Sequence, residues 1–317
     1  MKISAQIDPR YRSLLQKASR RGHINLALTV STYIGLSGPT AKRWFKQQAT
    51  LTTFRVCWPL ASELNFTRRF HSKVAAIINV TRSVKNQDAA GLGAMAYALD
   101  RGDRTVLTAT PSDRELKIVA NAIKRPDDFW AWIEDQDNTG REAAIRYFRK
   151  IGNSFDRAII MSAAYLTTVT DPQNVFWAEA QDDRFPYWVA FDHHVQQGQE
   201  ALTRISKDLH IPLPQLTWIF FYFEGSRTQK RFSSVWWDRY CHWRFKKAGI
   251  TPEQAHLMWH SVRPQLTAAL TEDAHSLHRE IYRWKQGHLD QIKTLKTEVE
   301  QFTSSPRRTD NRQKPLF

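Results

Sequence analysis

The sequence has 317 residues, 42% of them hydrophobic and 24% charged, with a net charge of +15 and a pI near 9.9. That apolar content builds a buried core, and an excess of base spread along the whole chain favours a polyanionic partner. No run of about 18 apolar residues is present, which argues against a membrane span, and Cys57 and Cys241 are too few for a disulfide framework or a cysteine-rich zinc site. The first residues, MKISAQIDPRYRSLL, lack the apolar centre of a signal peptide, so a cytoplasmic protein is expected.

Asp8 and Pro9 read as the cap and first turn of a helix with Tyr11, Leu14, Leu15 and Ala18 on its apolar face, broken by Gly22. A second helix is expected from His23 to Ile34, then a loop at Gly35, Gly38 and Pro39. Helices over 41–48 and 51–64 follow, the latter interrupted by Pro59. Phe66 to Lys85 is basic and helical in pattern. Arg68, Arg69, Lys73, Arg82 and Lys85 within it are expected to form a solvent-facing patch that holds phosphates. Ala89 to Leu99 is small and apolar. Its Gly91-Leu-Gly93 suits close helix packing, because no strand precedes it to make a dinucleotide fingerprint.

The segments RRGHINLAL and KRWFKQQATLTTFRVCWPLASEL, within residues 20–64, resemble the helical region that follows the ATPase core in clamp-loader-related AAA+ proteins of the RarA/MgsA type. There an Arg-rich helix ends in A-S-E-D-I-G. Ala61-Ser62-Glu63 matches that ending, and Leu64-Asn65-Phe66 replaces its last three residues. The chain has no Walker A or Walker B segment. The resemblance therefore implies a collar-like helical fold, with self-association or work near DNA, and no ATP hydrolysis.

Beyond Arg101-Gly-Asp-Arg104 the composition changes. Thr105 to Thr110 has the look of a short strand, and Ser112 with Glu115 forms a capping-box pattern. Helices are expected from Pro126, from Thr139 to Arg149, and from Ser154 to Thr168. Glu179, Asp182 and Asp183 make an acidic loop. From Phe185 to Leu209 apolar residues recur three or four apart, and Gly198 in that stripe suggests close approach of another helix. Asp192 and His194 flank the stripe, with His193 facing away. Period-two patterns are scarce throughout, so the class is all-α.

Leu216 to Gly249 carries eleven aromatic residues and seven Lys or Arg. Ser233 or Ser234 is placed to cap a helix that Gly249 stops. Trp236, Trp237, Tyr240, Cys241, Trp243 and Phe245 give it a wide buried arc. Arg244 projects from inside that arc and is expected to lie buried on an aromatic face, with Glu224 the nearest acid. Arg227, Lys230, Arg231, Arg239 and Lys246 are expected at the surface, as phosphate ligands. Gln265 to Phe302 reads as one amphipathic helix of 38 residues, roughly 57 Å long. Its outer stripe, Ile292, Leu295 and Val299, calls for a second copy or another protein to cover it. The chain divides into a helical lobe (1–104), a Trp-rich central domain (105–262), the long helix (263–303) and a disordered basic tail (304–317).

The sequence contains no phosphate-binding loop, no HExxH and no zinc-deaminase signature, so no cofactor, metal or catalytic residue is assigned. Asp192 and His194 are weak candidates for acid–base or metal chemistry, and local pairing explains them equally well. The reading is a DNA- or RNA-binding accessory protein linked to replication or repair. The alternatives are a nucleic-acid-processing enzyme with a helical pocket near Asp192 and His194, and a helical scaffold for other proteins.

Overall fold

A computed structural model of the chain describes residues 7–63, 69–109, 114–135, 154–169, 177–180 and 184–304. Arg68, the Ser112 cap, the Thr139–Arg149 helix, Asp182, Asp183 and the tail beyond 304 lie outside the described residues. Among the described residues there are fourteen α-helices and no strand, as the scarcity of period-two patterns required. Thr105 to Ala109 is not a strand but part of a 3₁₀ turn, Arg104–Ala109.

The first five helices are α1 (Pro9–Arg21), α2 (Ile24–Leu36), α3 (Pro39–Val56), α4 (Phe70–Arg82) and α5 (Asp88–Asp100). Asp8 caps α1 by accepting from the Arg10 amide at 2.8 Å, and Gly22 ends it with φ of 79°, where a side chain would be strained. Helices α6 (Arg114–Lys124), α7 (Pro126–Asp135) and α8 (Ser154–Val169) follow. The expected stripe over 185–209 divides into a 3₁₀ turn, Tyr187–Ala190, a sharp bend, and α9 (Gln196–Asp208). Gly198 allows that bend. A Cβ there would stand 2.3 Å from the Asp192 carbonyl, so the close approach is by the chain's own preceding turn and not by another helix. α10 (Leu213–Phe220) runs through a π-turn, Phe221–Gly225, and α11 (Val235–Lys247) carries the aromatic arc.

The arc is wide because α11 stands between two cores. Trp237, Cys241 and Phe245 join the core of α1, α2, α4 and the C-terminal helices, whereas Trp236 and Trp243 join the core of α5 to α8. Its N-terminus is not capped by Ser233 or Ser234. The Asp88 carboxylate accepts from the Trp236 amide at 2.7 Å and does the capping from α5. The small residues of α5 make this contact possible: a Cβ on Gly91 would lie 2.3 Å from the Trp236 carbonyl, and one on Gly93 2.6 Å from Ile159 Cα.

The expected 38-residue helix is three: α12 (Pro252–Ala269), α13 (Thr271–Gly287) and α14 (Leu289–Ser304), separated at Leu270 and His288. The turns fold the apolar stripe back on the chain. α14 packs on α4 and α2, and Ile292, Leu295 and Val299 are only 9%, 7% and 5% exposed. The surface reserved in the sequence for a partner is therefore covered by the chain itself.

Candidate functional site

Helix α1 carries apolar Tyr11, Leu14, Leu15 and Ala18 on one side and Ser13, Lys17, Arg20 and Arg21 on another. Packing on both sides takes these cations out of water, so each needs a partner. Lys17 bonds Asp192 Oδ2, and the Ser13 hydroxyl accepts from Lys17 at 2.9 Å and donates to the same oxygen at 3.1 Å. Arg21 Nη2 meets Glu224 Oε2 at 2.5 Å and the Glu224 carbonyl at 3.0 Å. Glu224 also faces Arg263 at 3.5 Å and Arg227 at 3.8 Å. It is thus committed to other arginines and does not pair with Arg244.

Asp192 sits in the bend before α9 and not on a helix edge. Its Oδ1 accepts from the His194 amide at 2.9 Å, an Asx turn that leads into α9, and meets His194 Nδ1 at 3.1 Å. Burial would raise this carboxyl, but Lys17 and the His194 bonds outweigh burial and hold it well below the carboxylate range. Asp192 is therefore anionic. This contact engages Nδ1 of His194 and leaves Nε2 as the ring nitrogen turned to other partners. Burial, then His194, lower the pKa of His193. One donor atom from each of Asp192, His193 and His194 falls within 4.8 Å of the others, a spacing compatible with a metal ion. The Lys17 ammonium on the same carboxylate opposes a dication, and this cluster is better suited to positioning His194 than to binding metal.

These groups form part of the wall of a cavity of about 690 Å³ between α1, α5, α8, α10 and α11. Its cations are Lys17, Arg20, Arg55 and Arg244, and Asp192 is the one carboxylate among its described lining residues. Arg55 is held by Asp156 from α8. Arg20 donates to the Gly225 carbonyl at 2.8 Å, and burial followed by repulsion from Arg55 lowers its pKa to about 10. Arg20 keeps some accessible surface on the cavity wall. The Arg244 guanidinium lies 4.6 Å from the centre of the Trp218 ring. It is half-buried, stacked as expected, and has no carboxylate partner among the described residues. Phe155, Phe221, Trp237 and Tyr240 add aromatic wall.

The expected phosphate ligands do not form one patch. Lys73 and Lys85 are not at the surface, being 1% and 0% exposed. Lys85 Nζ donates to the Val80 carbonyl at 2.6 Å and to Thr81 at 3.0 Å, so it caps the C-terminus of α4. Lys73 bonds the Thr50 hydroxyl at 3.2 Å. Burial lowers the pKa of each to about 8. Arg69, Arg82, Arg227, Lys230, Arg231 and Lys246 are exposed. Of these, Lys230 and Arg231 lie beside residues 82–85, because Lys85 bonds the Lys230 carbonyl and pairs with Arg231 in an extended bridge. Asp238 takes Arg231 at 2.8 Å, and Arg239 stacks on Trp236 at 4.8 Å.

A groove missed by the sequence reading has the more favourable charge. Thr271, His275, His278, Tyr282 and Lys285 follow one another at four, three, four and three residues along α13, a polar stripe beside the apolar one. With Arg184, Tyr187 and the start of α2 they line a cleft of about 670 Å³. No carboxylate is among its described lining residues, and Glu272, Asp273 and Glu280 fall on other faces of α13. Tyr187 stacks on His278 with ring centres 4.6 Å apart, and Tyr282 is 55% exposed.

No family model, curated protein or solved structure matches this chain. No helix among the described residues is long and apolar enough to cross a membrane.

Proposed function

We propose that the chain binds single-stranded nucleic acid along the α13 groove. The observation that carries this reading is the stripe from Thr271 to Lys285, which joins basic groups and exposed rings with no carboxylate among the described lining residues. A strand needs both: cations to replace the counterions of its phosphates, and flat surfaces on which bases stack. The fifteen residues from Thr271 to Lys285 span roughly 21 Å at about 1.5 Å of rise per residue, long enough for several nucleotides. The net charge of +15 steers a polyanion to the molecule.

The test is fluorescence anisotropy of a labelled 20-nucleotide strand over a range of salt. Each phosphate contact adds about 0.7 to the salt slope on a single strand. Arg184→Gln with Lys285→Gln should therefore flatten the slope by about 1.4 and weaken binding roughly tenfold at 0.15 M salt. An unchanged slope in this double variant counts against the groove, and no binding by the unaltered chain counts against the function.

A further inference from the structure

We infer that the cavity beneath α11 is a binding site for a mononucleotide, a small phosphate monoester that carries a flat ring. The site is separate from the α13 groove and does not depend on it. The cavity volume, about 690 Å³, lies within the range of small-ligand pockets.

The charges of the wall indicate what fits. Lys17 is neutralised by Asp192 and Arg55 by Asp156. Arg20 and Arg244 have no carboxylate of their own among the described residues: the first donates to a backbone carbonyl, and the second lies on Trp218. Two unmatched guanidinium groups equal the charge of one phosphate monoester dianion. Guanidinium is also the side-chain group whose planar fork matches phosphate oxygens.

The ring requirement comes from the rest of the wall. Phe155, Phe221, Trp237 and Tyr240 line the same cavity as the guanidinium groups. An inorganic anion would leave that aromatic surface in contact with water. A nucleobase covers it by stacking, while its phosphate reaches Arg20 and Arg244. His194, fixed through Nδ1 by Asp192, stands on the same wall with its Nε2 within the reach of a ribose hydroxyl.

The experiment is calorimetric titration of the full chain with AMP, GMP, CMP and UMP, and with inorganic phosphate and the matching nucleosides. At least one mononucleotide should bind, and its nucleoside and phosphate should each bind at least tenfold more weakly. Arg244→Met should weaken mononucleotide binding by tenfold or more. Phe155→Leu, which removes a ring from the wall and keeps most of its bulk, should weaken it several-fold. Both variants should retain the thermal unfolding of the unaltered chain to within a few degrees and should bind the labelled strand as it does. The inference is overturned if none of the four nucleotides binds at millimolar concentration, if phosphate alone binds as tightly as the nucleotide, or if Arg244→Met binds with unchanged affinity. A common loss of strand and nucleotide binding in Arg244→Met would also overturn it, because it would merge the two sites.

Discussion

Replacing Asp192 by Asn tests how the cavity wall is held. The side chains of Lys17 and Asp192 are 4% and 9% exposed, so the substitution leaves an ammonium in the interior opposite a neutral amide. Breaking a buried pair in this way costs about 3–5 kcal/mol. In a chain of this length each kcal/mol moves the melting temperature by roughly 2 °C, so a fall of about 6–10 °C is expected at pH 7. The loss should carry a pH signature. Without Asp192 to oppose it, burial depresses the folded Lys17 pKa further below its unfolded value of 10.5. The folded variant then binds fewer protons than the unfolded one, and its stability rises as pH climbs toward 10.5. Wild-type Asp192, whose folded pKa is depressed, adds stability above its unfolded pKa of 3.8 and loses it only in strong acid. The gap between the two proteins should therefore narrow between pH 7 and 9.5, as followed by circular dichroism during heating. Adding Lys17→Met to the Asn variant should restore much of the loss by removing the orphan charge. A fall of less than about 2 °C, or a gap that does not change with pH, would refute the view that this pair is buried and ionised.

Two further outcomes are expected. Burial pushes the Asp88 carboxyl up to about 6 against its two amide bonds, so the folded state binds more protons than the unfolded one from pH 3.8 to about 6. Asp88 then favours the fold most below that window and loses up to about 3 kcal/mol of that contribution as pH rises through it. Asp88→Asn keeps an acceptor for Trp236 without the charge, and the stability difference between it and wild type should shift in that direction between pH 4 and 7. Val299→Ser places a hydroxyl in the contact of α14 with α4 and α2, so it should lower stability by about 2 kcal/mol in chemical denaturation. A variant that changed the oligomeric state by light scattering but not the stability would reverse the assignment of that stripe to the chain's own core.

The helical class, the caps at Asp8 and Gly22, and the close packing of α5 were legible because they depend on residues close in sequence. The fate of a stripe was not. An apolar row on residues 265–302 has the same pattern whether it faces a second copy or turns at Leu270 and His288 to meet α4. Burial of charge was also misread. Lys73 and Lys85 look like surface lysines until the ends of α4 are in place, since the carbonyls that Lys85 caps are created by the helix itself. Two signals were present and passed over. Arg55 is a lone cation in the apolar run TLTTFRVCW, and Thr271, His275, His278, Tyr282 and Lys285 keep strict helical spacing. Lys17 and Arg20 had no such local mark. Their role depends on Asp192 and Gly225, far along the chain, and only the bend at Gly198 brings Asp192 inward.

The contact of α14 with α2 and α4 also sets an order in time. More than 200 residues separate the apolar faces of these early helices from the segment that covers them. During synthesis at about 5–20 residues per second, those faces emerge roughly 10–50 s before their cover does. Helices form in microseconds, so α2 and α4 are ready long before they can be enclosed. Throughout that interval they present Val30, Ile34, Ile77 and their neighbours to anything that binds greasy helices in a nascent chain. Closure then waits on a contact that is very distant in sequence, the kind that slows folding most. The rate at which this protein matures is therefore set near residue 289, although the surface at risk lies before residue 83.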